Sequence, residues 1–209
     1  MEHLHRNIQD VKPAATVLSY SASNRTDMYG IVNRAIGELI VDRFGTDRWE
    51  RVKDRAGLTL DFFISNEPYE DAVTYRLVEA AVAETGMPAA ELLVAFGEWW
   101  VLHTGKKRYG ALMEAGGTNL KSFLINLPQF HNRVMLLYPS LVPPEFQITD
   151  IGATDLQVHY FSERQGLLEF VRGLLQGIGK LYDTPVTVQV LQSRDSGASH
   201  EIFHVSWSA

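Results

Sequence analysis

Leu124-Ile125-Asn126-Leu127-Pro128-Gln129-Phe130-His131-Asn132-Arg133-Val134 sets a histidine in an apolar, helix-patterned stretch, and Tyr160-Phe161-Ser162-Glu163-Arg164 follows downstream. The first segment offers an imidazole that can ligate a metal. The second carries hydroxyl, hydroxyl and guanidinium groups at i, i+2 and i+4, which on a strand project to one face at steps of about 7 Å. Together they suit haem: its iron takes an axial imidazole, and its two propionates call for hydroxyl and guanidinium donors. Arginine's planar fork grips a carboxylate in a way lysine cannot, and carboxylates near an apolar cleft need such compensation. On its own, a histidine on an apolar helix is more often a hydrogen-bonded core residue, and the Tyr-x-Ser-x-Arg segment alone is more often the solvent face of a half-buried strand.

Outward from these segments the chain divides into a helical part and a strand-rich part. Ile31, Ala35, Ile36, Leu39 and Ile40 recur at helical spacing and stop at Phe44-Gly45. Further helices are expected over residues 47–56, 71–85 and 89–102, the last apolar nearly all round and hence deeply buried, with Gly105-Lys106-Lys107 breaking it. Residues 109–115 and 120–137 complete the helical part, and Ala115-Gly116-Gly117-Thr118 reads as a terminator followed by a cap. Pro139, Pro143 and Pro144 then mark a loop. Strands are expected over 146–149, 156–161, 186–192 and 201–207, with a helix over 166–182. Helices first and strands afterwards give an α+β fold rather than a parallel α/β sheet. Residues 1–27 are expected to be a leader or tag, and residues 28–209 a single domain.

Composition narrows the function. At 209 residues and 45% hydrophobic content the chain can bury a substantial core or two lobes around a pocket. No apolar run approaches the roughly 18 residues of a membrane span. A net charge of −6 disfavours nucleic acid and anionic membranes as partners. The chain has no cysteine, which removes disulfides, thiolate haem ligation, iron–sulfur clusters and cysteine zinc sites, and accords with the expected cytoplasmic location.

The chain resembles the H-NOX domains, the haem nitric oxide/oxygen-binding family that includes the haem domain of soluble guanylate cyclase. The likeness runs from Met28-Tyr29-Gly30-Ile31-Val32-Asn33 to Phe203. It is carried by Phe-Leu-x-Asn-Leu-x-x-x-His-x-x-Val ending at Val134, by Pro143-Pro144, and by Tyr-x-Ser-x-Arg. The resemblance implies a helical N-terminal lobe and a C-terminal lobe with an antiparallel sheet, haem b between them, His131 as axial ligand, and a propionate clamp of Tyr160, Ser162 and Arg164. Pro144 would contact the porphyrin. Pro128 stands where the family usually carries Asp, and a proline there starts or kinks the turn before the ligand.

The resemblance also frames ligand choice. Oxygen-binding members reach the ligand with a tyrosine from the helix after the clamp; alignment on Gly173 puts Phe170 there, and phenylalanine donates no hydrogen bond. Ile31 or Val32 and Trp100 complete an apolar distal pocket, with Trp100 filling space. The implied function is a ferrous five-coordinate haem sensor that binds nitric oxide and carbon monoxide, excludes oxygen, and signals through the His131–iron bond to a partner such as a histidine kinase or cyclic-nucleotide enzyme. The rivals are an oxygen-binding or haem-transport protein and a haem-independent module for an apolar ligand.

An enzyme is not expected. His200-Glu201-Ile202-Phe203-His204 fits the H-E-x-x-H zinc-protease pattern, but alternating Phe203, Val205 and Trp207 predict a strand, which parts the two rings by about 13 Å. There is no G-x-S-x-G elbow. His103 competes with His131 as a ligand, but it sits outside the family motif at the expected end of an aromatic helix, where a capping role suffices.

Overall fold

A computed structural model of the chain describes residues 27–137 and 144–208. The expected leader at 1–27 therefore lies outside it except for Asp27, and so does Pro143. The N-terminal lobe starts with β1 (Asp27–Tyr29), α1 (Gly30–Phe44) and α2 (Thr46–Arg55), followed by β2 (Pro68–Glu70), α3 (Asp71–Thr85) and α4 (Ala89–Trp99). Short β1 and β2 pair antiparallel. At three residues each, they carry no periodicity long enough to read from sequence. The glycine that opens α1 is imposed by packing, since a Cβ on Gly30 would collide with the Ile64 carbonyl and the Tyr69 ring. Ile36, Leu39, Ile40, Val52, Leu77 and Phe96 form this lobe's core.

Gly105 does not break the chain into separate helices. α4 runs into a π-helical turn (Trp100–Gly105) and on into α5 (Lys106–Gly116), with the bend at Tyr109, whose φ and ψ are −123° and 16°. Gly105 keeps right-handed helical dihedrals, and its missing side chain lets the Trp100 carbonyl approach. α6 (Leu120–Met135) begins at a capping box in which Asn119, rather than Thr118, accepts from the Ser122 N–H. It continues unbroken through Pro128, so the proline does not start a turn; it removes one backbone donor inside the helix.

The C-terminal lobe contains β3 (Glu145–Thr149), β4 (Asp155–Phe161), α7 (Leu168–Leu181), β5 (Val186–Gln192) and β6 (Glu201–Trp207). The strands form one antiparallel sheet in the order β3-β4-β6-β5. Its buried face supplies Leu156, Val158, Tyr160, Phe203 and Val205, which pack on α7 and on Phe123 and Leu127 of α6. The H-E-x-x-H residues lie at and on β6 as expected: His204 bonds Asp155 and His200 bonds His159, so the two rings do not converge. The fold is α+β, with α7 packed against α4 tying the two lobes together.

Candidate haem site

His131 projects from α6 at the junction of the lobes. Its ring is half-buried and meets the ring of Phe146 on β3 edge-on, with centroids 5.1 Å apart at 70°. No hydrogen bond among the described residues engages it. Burial pushes its pKa down to about 4, so the imidazole is neutral near pH 7 and keeps a lone pair for a metal.

Two adjoining hollows share His131, Trp100, Phe146, Val32 and Leu174 as walls. One, of ≈ 950 Å³ including its mouth, is also lined by Ile31, Tyr109 and Ile178. The other, of ≈ 1070 Å³ including its mouth, adds Pro144, Tyr160, Arg164 and Phe170. The structure thus brings His131, Trp100, Phe170, Pro144, Tyr160 and Arg164 around one space, with Ile31 in the neighbouring one. Ser162 lines neither hollow. Phe170 packs on Phe96 at 5.0 Å between centroids, and Trp100 meets the same ring edge-on at 6.3 Å, so both rings stand in the wall of the second hollow.

The Tyr-x-Ser-x-Arg segment differs from its expected form. β4 ends at Phe161, so only Tyr160 lies on the strand, while Ser162 and Arg164 follow in a loop. The strand stops because Ser162 folds back: its Oγ accepts from the Arg164 N–H at 3.1 Å. Tyr160 is buried, and that burial raises its hydroxyl pKa. The Arg164 guanidinium is buried, and it is already engaged: Nε contacts Asp71 Oδ2 at 2.9 Å, and Nη2 donates to the Asp27 carbonyl at 3.0 Å. Its compensating carboxylate therefore comes from the N-terminus of α3, and a propionate at this place would share the fork with Asp71.

Arg194 holds the loop from outside. It pairs with Glu201 at 2.7 Å and donates to the carbonyls of Ser162 and Arg164 at 2.5 and 2.7 Å. Sequence reasoning passed over Arg194 and Asp71, whose partners lie far along the chain, and also Tyr75 and Thr74, which line the second hollow. Tyr75 donates to the Gln165 carbonyl at 3.2 Å, and its pKa is pushed up to about 12, first by burial and then by Asp71. The helical periodicity of α3 was readable, but nothing in it marked those positions as facing a cleft. His103 lines neither hollow; it lies exposed, stacked on Trp99 at 3.7 Å within the π-helical turn.

These residues fit haem. A neutral imidazole without a hydrogen-bond partner among the described residues borders two apolar hollows, and a guanidinium stands in the wall of one. The chain belongs to the haem-NO-binding family, whose sequence profile matches residues 29–190, and it is an H-NOX domain. It is 27% identical over 183 residues to soluble guanylate cyclase gcy-31 of Caenorhabditis elegans, and 28% over 187 residues to gcy-37 of the same organism. Those alignments cover 87% and 85% of this chain but only 26% of each cyclase, so the chain spans about a quarter of these relatives' length. Its fold matches an H-NOX protein from S. oneidensis, solved in the Fe(II)NO ligation state, with a TM-score of 0.79, 17% identity, and coverage of 87% of this chain and 100% of that one. An unliganded Fe(II) H-NOX protein from K. algicida matches with a TM-score of 0.75 at 19% identity, covering 87% and 97%.

Proposed function

We propose that this domain is a haem-based gas sensor that binds nitric oxide and carbon monoxide, excludes oxygen and passes the event to a partner protein. The observation that carries this reading is the placement of His131, a neutral imidazole shared by two apolar hollows, with Arg164 and Tyr160 on the wall of the second. Haem b, when bound, supplies an iron centre whose open position takes the gas. His131 would hold the iron through its neutral imidazole, and Arg164, with Tyr160 and Ser162 behind it, would hold the propionates. Ile31, Trp100 and Phe170 wall the gas side, and Pro144 borders the same hollow.

Selectivity follows from the apolar wall. Bound oxygen carries partial negative charge and gains from a hydrogen-bond donor, whereas nitric oxide needs that help less; Phe170 has none to offer. Signalling starts at His131. When the restraint on its imidazole loosens, α6 is freed from the cleft, and a local bond change becomes a shift of a packed element. The relatives are cyclases by name, and a cyclic-nucleotide enzyme or a histidine kinase is the partner this reading suggests.

Absorption spectra of the anaerobic ferrous protein, repeated in air and with nitric oxide, test the proposal. It expects an unchanged Soret band in air and a shift with nitric oxide. A stable oxy spectrum in air would refute the selectivity, and failure to take up haem would favour a haem-independent apolar-ligand module. Phe170→Tyr is expected to create measurable oxygen binding.

A further inference from the structure

The loop that carries Arg164 is held from two sides. The Arg164 side chain reaches the N-terminal lobe, where Nε meets Asp71 Oδ2 at 2.9 Å and Nη2 donates to the Asp27 carbonyl at 3.0 Å. Its main chain is held by the C-terminal lobe through Arg194, whose Nη1 donates to the Ser162 carbonyl at 2.5 Å and Nη2 to the Arg164 carbonyl at 2.7 Å. One guanidinium thus grips two carbonyls two residues apart, which fixes the course of the chain between β4 and α7. Arg194 borders neither hollow, so it acts on the cleft through the loop it holds.

The turn that presents Arg194 is itself rigidly made. A 3₁₀ turn (Arg194–Ser196) follows β5; the Ser193 Oγ accepts from the Asp195 N–H at 3.1 Å, and the Ser196 Oγ donates to the Ser193 carbonyl at 2.7 Å. Gln192 Nε2 donates to the His200 carbonyl at 3.1 Å, and Gly197 closes the turn at a left-handed φ of 90°. Glu201 then receives Arg194 Nε on both carboxylate oxygens, at 2.7 and 3.0 Å. The side chain of Glu201 is 5% exposed and that of Arg194 18%. An ion pair so far out of water is a poor source of stability by itself, but its geometry aims two charge-assisted donors at one loop.

We propose that Arg194 is a positioning residue for the haem clamp: it fastens the Arg164 loop to the C-terminal lobe and so sets how long haem is retained. This rests on the haem reading of the cleft. A guanidinium can hold propionates only while its own backbone stays in place, and groups one step behind a binding side chain tune affinity by about 10–100-fold. Glu201 orients Arg194, and Asp71 takes the far end of Arg164, so one chain of bonded groups runs from β6 to α3 across both lobes.

Haem transfer from the loaded full chain to excess apomyoglobin, together with amide hydrogen exchange of the haem-free chain, tests this. Arg194→Gln is expected to release haem about tenfold faster. It should also speed exchange of the Arg164 N–H, which is bonded to Ser162 Oγ, while Leu39 in the core of the other lobe is unchanged. Arg194→Lys keeps the charge but cannot reach both carbonyls and the carboxylate together, so it should fall in between, and it decides the matter if the glutamine variant does not fold. In a background of Arg164→Met with Asp71→Leu, which removes the fork, Arg194→Gln should quicken haem loss no further. A further acceleration in that background, unaltered haem release from the Arg194 variants, or unaltered exchange at Arg164 overturns the proposal. If the parent chain takes up no haem, the haem reading fails and the proposal falls with it; the exchange measurement, made without haem, separates that failure from a loop that Arg194 does not hold.

Discussion

Buried groups at single positions make the most direct predictions. The His131 pKa falls from an ordinary 6.5 to about 4 in the folded, haem-free chain because of burial. Between those values the unfolded chain binds a proton that the folded chain does not, so stability rises with pH across the window and is lost as pH falls from about 6.5 to about 4. The effect is on the order of 3 kcal/mol. Urea denaturation of haem-free protein should show it, and His131→Leu should flatten that part of the profile; parallel profiles would sink the assignment. Arg164 makes the opposite case of a buried charge that is paired. Arg164→Ala strands Asp71 and should cost about 3–5 kcal/mol, whereas Arg164→Met combined with Asp71→Leu should recover most of the loss. No recovery in the double variant would mean that the uncompensated charge is not the cause.

Among the elements, the crossing of α4 and α7 sets the shape of the cleft. Gly97 lies against the Phe170 carbonyl, and Gly173 against the Val94 carbonyl, with no space at either for a Cβ. Phe170 rides on the same contact, so helix separation is transmitted to the cleft wall. Gly173→Ala should destabilise the fold by about 2 kcal/mol in urea melts and broaden the Soret band of haem-loaded protein. An unperturbed melt would show that the helices yield easily. The glycines were visible in the sequence, but their close approach was not, because it depends on two helices far apart along the chain. By contrast, periodicity over α3, β5 and β6 placed their bounds correctly, since 7 to 15 residues give a pattern time to repeat. It failed at Gly105, where a glycine usually interrupts a helix but here admits a π turn. It placed the end of β4 at Phe161 correctly, but the one-face reading of Tyr160, Ser162 and Arg164 does not extend past that end, because a local hydrogen bond turns the chain at Ser162.

At the scale of the whole molecule, the α+β class and the two-lobed cleft were legible because hydrophobic pattern and family motif agreed. The electrostatic framework of the site was not, because Arg164 reaches Asp71 across 93 positions and Asp27 across 137. Such pairs leave no local trace. The same long reach bears on stability, since the cleft wall depends on both lobes being in place.

The strand order β3-β4-β6-β5 puts the last strand between two earlier ones. As the ribosome delivers the chain, β4 and β5 emerge with no common neighbour, and Glu201, which orients Arg194 on the Arg164 loop, emerges later still. Assembly of this sheet thus waits for β6, and the cleft gains its final fastening only once synthesis has passed Trp207. A version ending at residue 199 should lose the cooperative melt of the sheet, although it retains the whole segment matched by the family profile. Closure of the cleft therefore belongs to the last strand to emerge, so each copy carries an unfastened cleft until β6 slots between β4 and β5.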